Sequence, residues 1–362
     1  MFKQNHAILT GYYGMQNTGD DALLYTTRWA SHHLLGATDN KVSSDGLIKC
    51  KEFGDVQAMP EPRFRGHQRI LHYNNALQSE KVIFVGGSVL HSSKDIKFKR
   101  HLMKLSGRNA SRAVGVGIGP FESLEAEKSC AKFLNECGFT GVRDPDSLAI
   151  AQSIAPNASV LLTFDLALLM LCHQTKRLVE IERNGIMFNF CPQAVDPFKN
   201  VHKNNEQSRI DMAVAAIEPT WQQTQEPIFL LDFNNHSQFR DFSIHQQIIS
   251  RVSSDVPMTH IAFVPNPFTV LQRIAAFKAT VSMRLHSAIM LFMANTLALS
   301  INYHEKCRSW CKQIGVLEGY QFDAQNIVPE QLFRHLKQGA TTGFAKSIMK
   351  KNEAVQAALL NW

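Results

Sequence analysis

Residues Ala279 to Cys311, ATVSMRLHSAIMLFMANTLALSINYHEKCRSWC, read as a strand, a helix, a second strand and a second helix, with polar side chains only where strands end. Thr280 to Met283 is a short β-rich run. Leu285, Ile289, Phe292 and Met293 then recur at helical spacing, so Arg284 and His286 fall at a strand-to-helix corner. A helix starting there presents free N–H groups and partial positive charge. With Arg284 beside it, that corner suits a phosphate or a carboxylate. His286 adds an imidazole, the side chain that exchanges protons most readily near neutral pH. The same residues are also compatible with a purely structural role, Arg284 in a salt bridge and His286 capping the helix.

Outward from this stretch the chain repeats one plan. Ala7 to Thr10 is a strand candidate followed by GYYGMQNTGDDALLYTT, a glycine-framed loop that opens a helix at about Asp20. The spacing is not that of a dinucleotide-binding turn. Asp20 and Asp21 at the helix start would cap it well and repel a pyrophosphate; such carboxylates suit sugar hydroxyls, or the removal of a proton from one. Lys81 to Val85 and Arg112 to Val116 are buried-type strands running into glycines. Glu122 to Cys137 reads as a helix, and Phe139 to Val142 as a strand delivering Arg143 and Asp144 to a helix begun by Pro145. Arg143 could equally pair with Asp144 or Asp146. Val160 to Thr163 ends at Asp165 in the same manner. Thr38 to Arg69, rich in Ser, Gly, Pro and charge, is expected to be mainly loop.

Five or six strands alternating with helices in the first 175 residues or so imply a mainly parallel sheet covered on both faces, with ligands at the carboxyl ends of its strands. Polar residues His173 to Asn184 suggest a linker. A second α/β series follows: Ile186 to Phe190, a helix over Ser208 to Trp221, Ile228 to Leu231, a helix around His245 to Val252, His260 to Val264, and a helix over Pro267 to Phe277. The expected architecture is two Rossmann-like parallel-sheet domains facing a central cleft. They would span residues 1–175 and 186–330, joined by a linker at 176–185, with terminal helices over 331–362.

Composition narrows the function classes without choosing among them. At 362 residues with 44% hydrophobic content the chain can build two cores. A net charge of +7 and a pI near 9.0 suit acidic small molecules, lipid head groups or nucleic acid. Basic and aromatic residues do not interleave as on a nucleic-acid groove, so no nucleic-acid partner is expected. The longest apolar runs fall far short of the roughly 20 residues of a membrane span. No apolar signal region opens the sequence, and seven cysteines without a CxxC pair point to neither a disulfide framework nor a zinc site. A reducing cytoplasm is the expected setting, and no metal is expected.

The ordered set GYYGMQNTGDDALL, VGGSVL, GVGIGP, VRDPDS, TFDLALL, SMRLHSAIM and INYHEKCRSWCKQIG, spanning most of residues 7 to 315, resembles the polysaccharide pyruvyl transferases. The resemblance implies a GT-B-like fold and no cofactor. Phosphoenolpyruvate would be the donor and a saccharide or lipid-linked oligosaccharide the acceptor, joined as a ketal-linked pyruvate with release of phosphate. Through the RLH motif it implies donor binding and catalysis for Arg284 and His286, and through the R[DE]xxS motif donor binding for Arg143. Lys306 is a further donor-binding candidate. Asp20 is the candidate base, and Asn17 and Asp21 are candidates for the acceptor. Peripheral association with the inner face of the membrane is an expectation from the family together with the basic charge. Two other readings use the same plan: a glycosyltransferase with a nucleotide-sugar donor, and a non-catalytic saccharide-binding protein.

Overall fold

The computed structural model describes residues 6–37, 39–44, 57–58, 60, 62–107, 110–173, 182–192, 204–296, 298–324 and 326–362. The chain forms two α/β units. The first gathers Met1–Met15, Asp20–His173 and Asn352–Trp362, and the second Gln16–Gly19 and Gln174–Lys351.

The first unit runs β1 (His6–Tyr13), α1 (Thr18–Leu35), β2 (Asp39–Ser44), β3 (Gln57–Ala58), α2 (His67–Gln78), β4 (Lys81–Leu90), α3 (Ser93–Ser106), β5 (Arg112–Ile118), α4 (Leu124–Glu136), β6 (Phe139–Val142), α5 (Pro145–Ile154), β7 (Val160–Leu162) and the short α6 (Met170–His173). The second holds β8 (Ile186–Asn189), α7 (Asn204–Thr224), β9 (Ile228–Leu231), α8 (Phe242–Ile249), β10 (Met258–Ile261), α9 (Pro267–Ile274), β11 (Ala279–Ser282), α10 (Leu285–Met293), β12 (Ala298–Asn302), α11 (Glu305–Ile314), β13 (Gln321–Asp323) and α12 (Pro329–Thr342). The closing helix, α13 (Lys351–Leu359), falls almost wholly within the first unit.

All strand pairs are parallel. The seven-stranded sheet has the order β3-β2-β1-β4-β5-β6-β7, and the six-stranded sheet β10-β9-β8-β11-β12-β13. Both are doubly wound and reverse direction once, between β1 and β4 in the first and between β8 and β11 in the second. Ligands of such sheets bind outside the strand ends at that switch point.

The strands are legible because they are buried on both faces and carry near-continuous apolar runs. Ile8, Val82, Phe84, Ala113, Val116 and Val142 are fully buried in the first core, where the Phe84 and Phe133 rings meet edge-on at 5.2 Å. Ile186, Phe188, Ile228, Leu230, Val281 and Ile301 do the same in the second, with Leu332 and Leu336 of α12 closing it against α7. Each buried Val, Ile, Leu or Phe among them contributes about 1.5–3 kcal/mol of burial free energy. Helix starts follow side-chain chemistry. Asp144 accepts from the Ser147 N–H at 2.8 Å ahead of Pro145, and Asn266 accepts from Phe268 at 2.9 Å ahead of Pro267.

The stretch from Thr38 to Arg69, expected to be mainly loop, contains β2, which pairs with β1 from Asp39 to Ser44. Its sequence, DNKVSS, has a single apolar residue, Val42, which is fully buried. Pairing with β1 fixes that strand; local hydrophobic pattern does not. The linker expected over 176–185 lies largely outside the described residues. At the C-terminal end of the chain, α12 belongs to the second unit and Asn352–Trp362 to the first. There the fully buried Asn361 accepts from the Gly115 N–H at 2.8 Å and the Thr163 hydroxyl at 3.0 Å. A Cβ on Gly141 would come within 2.1 Å of the same Asn361 oxygen, so only glycine fits in that strand.

Candidate active site

The switch point of the second sheet brings together the ends of β8 and β11. Beyond β11, Arg284 takes extended backbone and becomes the N-cap of α10. Its own N–H donates to the Asn189 side-chain oxygen at the end of β8, at 3.2 Å. Its guanidinium turns to Asp241, just ahead of α8. Nε lies 2.8 and 2.9 Å from the two carboxylate oxygens, and Nη2 donates to Asp241 and to the Phe239 carbonyl, the latter at 2.9 Å.

Asp241 is fully buried and also accepts from the Phe233 and Asn234 N–H groups, at 2.9 and 3.2 Å, and from the Asn189 amide at 3.3 Å. Burial would lower the Arg284 pKa, but the Asp241 carboxylate outweighs it and raises it above the ordinary arginine value. The guanidinium therefore stays charged. One edge of the fork is spent on Asp241, and Nη1 makes no hydrogen bond among the described residues.

His286 is the second residue of α10 and half-buried. Its ring lies against Gly19. A Cβ on that glycine would come within 2.1 Å of the imidazole Nδ1, so a larger residue would push the ring away. Gln16–Gly19 is pinned to the chain beyond β9. The Thr18 N–H donates to the Phe233 carbonyl at 2.9 Å and the Asn235 N–H to the Gln16 carbonyl at 2.9 Å, while Asn17 bridges to Asn234. The Asn17 side-chain oxygen accepts from the Gly19 N–H at 2.9 Å and so folds the turn. Of the glycine-framed loop read near the N-terminal end of the sequence, Gln16–Gly19 thus forms part of the second unit's site.

Lys306 is the second residue of α11, capped by His304, and its ammonium stands 5.9 Å from the Tyr303 ring centre. Burial pushes the Cys191 thiol, two residues past β8, upward. Arg284, Arg209 and Lys306 pull it down, and Asp241 adds to the rise.

Beside them stands a group that no motif announces. His245 Nδ1 is 2.6 Å from Asp232 Oδ1, and His260 Nε2 is 3.0 Å from the same oxygen. Their ligand atoms lie within 4.8 Å of one another, close enough for a metal. The Phe190 N–H, however, donates to His245 Nε2 at 3.2 Å, which leaves the ring's proton on Nδ1, where a metal would need a lone pair. As built, this group holds a proton between His245 and Asp232 and ties β8, β9 and α8 together.

The first unit treats its carboxyl edge differently. Arg143, after β6, is 5% exposed and lies between Asp144 at 3.6 Å and Asp165 at 3.7 Å, so two carboxylates face one guanidinium. At its switch point a cavity of about 200 Å³ is lined by Tyr12, Ser43, His72, Asp95, Phe98 and Lys99 among others. His72 Nδ1 donates to the Gln68 carbonyl at 2.6 Å, leaving Nε2 to accept from Ser43. Lys99 is pushed down by burial, against the pull of its partner Asp95. Asp20 and Asp21 lie in the first turn of α1. Burial, and then the Asp20 charge, raise the Asp21 pKa to about 8.

Parallel doubly wound sheets of this order, with polar groups gathered at the switch points, define the GT-B-like α/β class. Solved structures agree. A putative UDP-N-acetylglucosamine 2-epimerase from Listeria monocytogenes superposes with TM-score 0.64 at 7% identity, over 97% of this chain and 93% of that one. The UDP-GlcNAc 2-epimerase from Methanocaldococcus jannaschii gives 0.63 at 10% identity, over 98% of both. The lipopolysaccharide outer core galactosyltransferase WaaB gives 0.50 at 8%, over 98% and 97%. At these identities the likeness is one of fold. No curated protein sequence matches the chain. The family model for polysaccharide pyruvyl transferases matches residues 17–305, and the chain belongs to that enzyme family.

Proposed function

We propose that the protein transfers pyruvate from phosphoenolpyruvate to two hydroxyls of a saccharide, free or lipid-linked, forming a ketal and releasing phosphate. The observation that carries this reading is the pairing of Arg284 and His286 at the switch point of the second sheet, within a chain of this family. A donor bearing a phosphate and a carboxylate calls for fixed cations, and the planar fork of arginine binds either group through two hydrogen bonds. Arg284 would offer its Nη1 edge, backed by the N-terminal N–H groups of α10, with Lys306 alongside.

In this scheme His286 gives a proton to the enol carbon C3, which becomes the methyl group, as one sugar hydroxyl attacks C2. Asp20 takes the proton of that hydroxyl. Phosphate then leaves C2 with its bonding electrons, and the second hydroxyl adds to the oxocarbenium and loses its proton. Asp21, protonated near neutrality, would donate to the acceptor, and Asn17 would shape the loop that carries Gly19 against His286. The cavity of the first unit, with an aromatic wall at Tyr12 and Phe98 and mixed donors and acceptors, suits a sugar ring. Arg143, enclosed by two carboxylates, would position the turn at 144–147 and leave the donor to the cations of the second unit.

Incubation of the protein with phosphoenolpyruvate and a panel of free and lipid-linked saccharides tests the proposal. The expected result is phosphate release together with a product heavier than the acceptor by pyruvate less one water. Turnover of a nucleotide sugar instead, with phosphoenolpyruvate untouched, would overturn it.

A further inference from the structure

α2 turns Tyr73 and Ala76 to the first core and carries a second apolar line that no core covers. Ile70 and Leu77, two helical turns apart and so on one face, are 56% and 54% exposed. Phe64, in the turn ahead of the helix, is 56% exposed. Its ring rests on His67, the first residue of α2 and three before Ile70, with 4.7 Å between ring centres. Phe64, His67, Ile70 and Leu77 thus form one stripe along the outside of the first unit. Large apolar side chains held more than half exposed along a line are unfavourable in water and mark a surface that meets an apolar partner.

The charge beside the stripe indicates which partner. Residues 62–79 include Arg63, Arg65 and Arg69 and no acidic residue. All three arginines are exposed, and none enters an ion pair among the described residues. They stand at the start of α2, whose first turn holds no acid. Cations are disfavoured at that end of a helix, so an anionic surface relieves them. A bilayer with anionic head groups answers both features, taking arginines at head-group level and Phe or Ile side chains at the acyl boundary. A stable protein interface needs about 800 Å² on each partner around an apolar core. The stripe is one side chain wide on a helix of 12 residues, which fits a fluid surface better.

The stripe also adjoins the cavity of the first unit. The Arg69 guanidinium stands 5.7 Å from the centre of the Phe98 ring, and His72 meets the same ring edge-on at 5.4 Å. Phe98 and His72 line the cavity, so Ile70 and the cavity wall are two residues apart on one helix.

We infer that this face of α2, with Phe64, Ile70 and Leu77 inserted and Arg63 and Arg65 on the head groups, docks on an anionic lipid bilayer. That the docked cavity meets a lipid-linked saccharide rests on the function proposed above. The docking itself does not.

The test is co-sedimentation of the full chain with phosphatidylcholine vesicles and with vesicles that also contain phosphatidylglycerol. The native protein is expected to bind the anionic vesicles about tenfold or more tightly than the neutral ones, and to be released as salt is raised. Phe64→Ser with Ile70→Ser, and separately Arg63→Gln with Arg65→Gln, should each weaken that binding about tenfold or more. Melting temperatures should stay at the native value, because all four side chains are exposed. Should the first pair fail to fold, the arginine pair carries the comparison. No binding of the native protein to anionic vesicles, equal binding to both kinds of vesicle, or binding that neither pair weakens would each overturn the inference. So would self-association of the native protein, without vesicle binding, that Phe64→Ser with Ile70→Ser abolishes; the face would then belong to a second copy of the chain. If vesicle binding depends on these residues while phosphoenolpyruvate is not consumed, the proposed function falls and the docking surface stands. If phosphoenolpyruvate is consumed while neither pair alters vesicle binding, the function stands and the docking surface falls.

Discussion

The two switch points share a strand order and differ in charge. In the second unit, the buried Asp241 carboxylate holds the Arg284 guanidinium, the Asn189 amide and the chain beyond β9. In the first, Arg143 is outnumbered by Asp144 and Asp165, Lys99 is answered by Asp95, and two acids open α1. On the function proposed above, one backbone plan supplies an edge for an anion and another for a neutral, hydroxyl-rich ligand. The difference lies in a handful of side chains past the strand ends, which is why fold alone does not define activity.

The largest expected effect comes from His286→Ala. Loss of a general acid lowers kcat by about 100- to 10,000-fold, while the melting temperature stays within a degree or two because the half-buried ring supports little of the core. Activity within a few-fold of native would remove proton transfer from the second switch point and leave the contrast between the two edges without a catalytic meaning. Asp241→Asn comes next. Removing the partner of a buried guanidinium typically costs about 3–5 kcal/mol, here moderated by the partial exposure of Arg284, so a loss of about 2–3 kcal/mol is expected from urea unfolding. A change below about 0.5 kcal/mol would mean that Arg284 is held by something other than this carboxylate.

Gly19→Ala probes the same edge through geometry. A Cβ 2.1 Å from the His286 ring must displace it, and a misplacement of about 1 Å costs up to about 100-fold in turnover. Donor affinity should fall much less, which a split between kcat and KM would show.

The smallest effect is on the first edge and depends on pH. Folded Asp21 keeps its proton up to about pH 8, whereas the unfolded chain releases it near the ordinary aspartate value of about 4. Between those limits the folded state binds more protons, so this group makes stability fall as pH rises, and the penalty is complete only above about pH 8. Asp21→Asn removes the penalty. Its melting temperature should exceed that of the native protein by more at pH 8 than at pH 5, by an amount equivalent to about 1 kcal/mol or more. An equal difference at both values would show that Asp21 is already ionised in the fold.

How much of this could be read from the sequence depends on how far apart the cooperating residues lie. Arg284 and His286 were legible because a β-rich run and a helical period meet between them, and Gly19 because it stands in a glycine-framed loop. Arg284 and Asp241 are 43 residues apart with no shared motif. Asp232, His245 and His260 meet only because the ends of β9 and β10 and the start of α8 converge, and neighbouring sequence gives no sign of it. Arg209 sits one residue before a core position on a helix, where periodicity predicts a partly exposed side chain; only the packed structure shows it buried. β2, with one apolar residue in six, and α2 and α3, whose polar faces mask their buried ones, were hidden for the related reason that their burial is set by the sheet they cover.

The placement of Asn361 has a bearing on how the chain is made. The residues that seal the first sheet are translated only after the whole second unit has been synthesised, because residues 174–351 come between. The second unit's continuous run can condense on the ribosome, while the earlier half waits for its plug. Premature termination after residue 351 should therefore strike the half encoded first, whose sheet then lacks the contacts of Asn361 with Gly115 and Thr163.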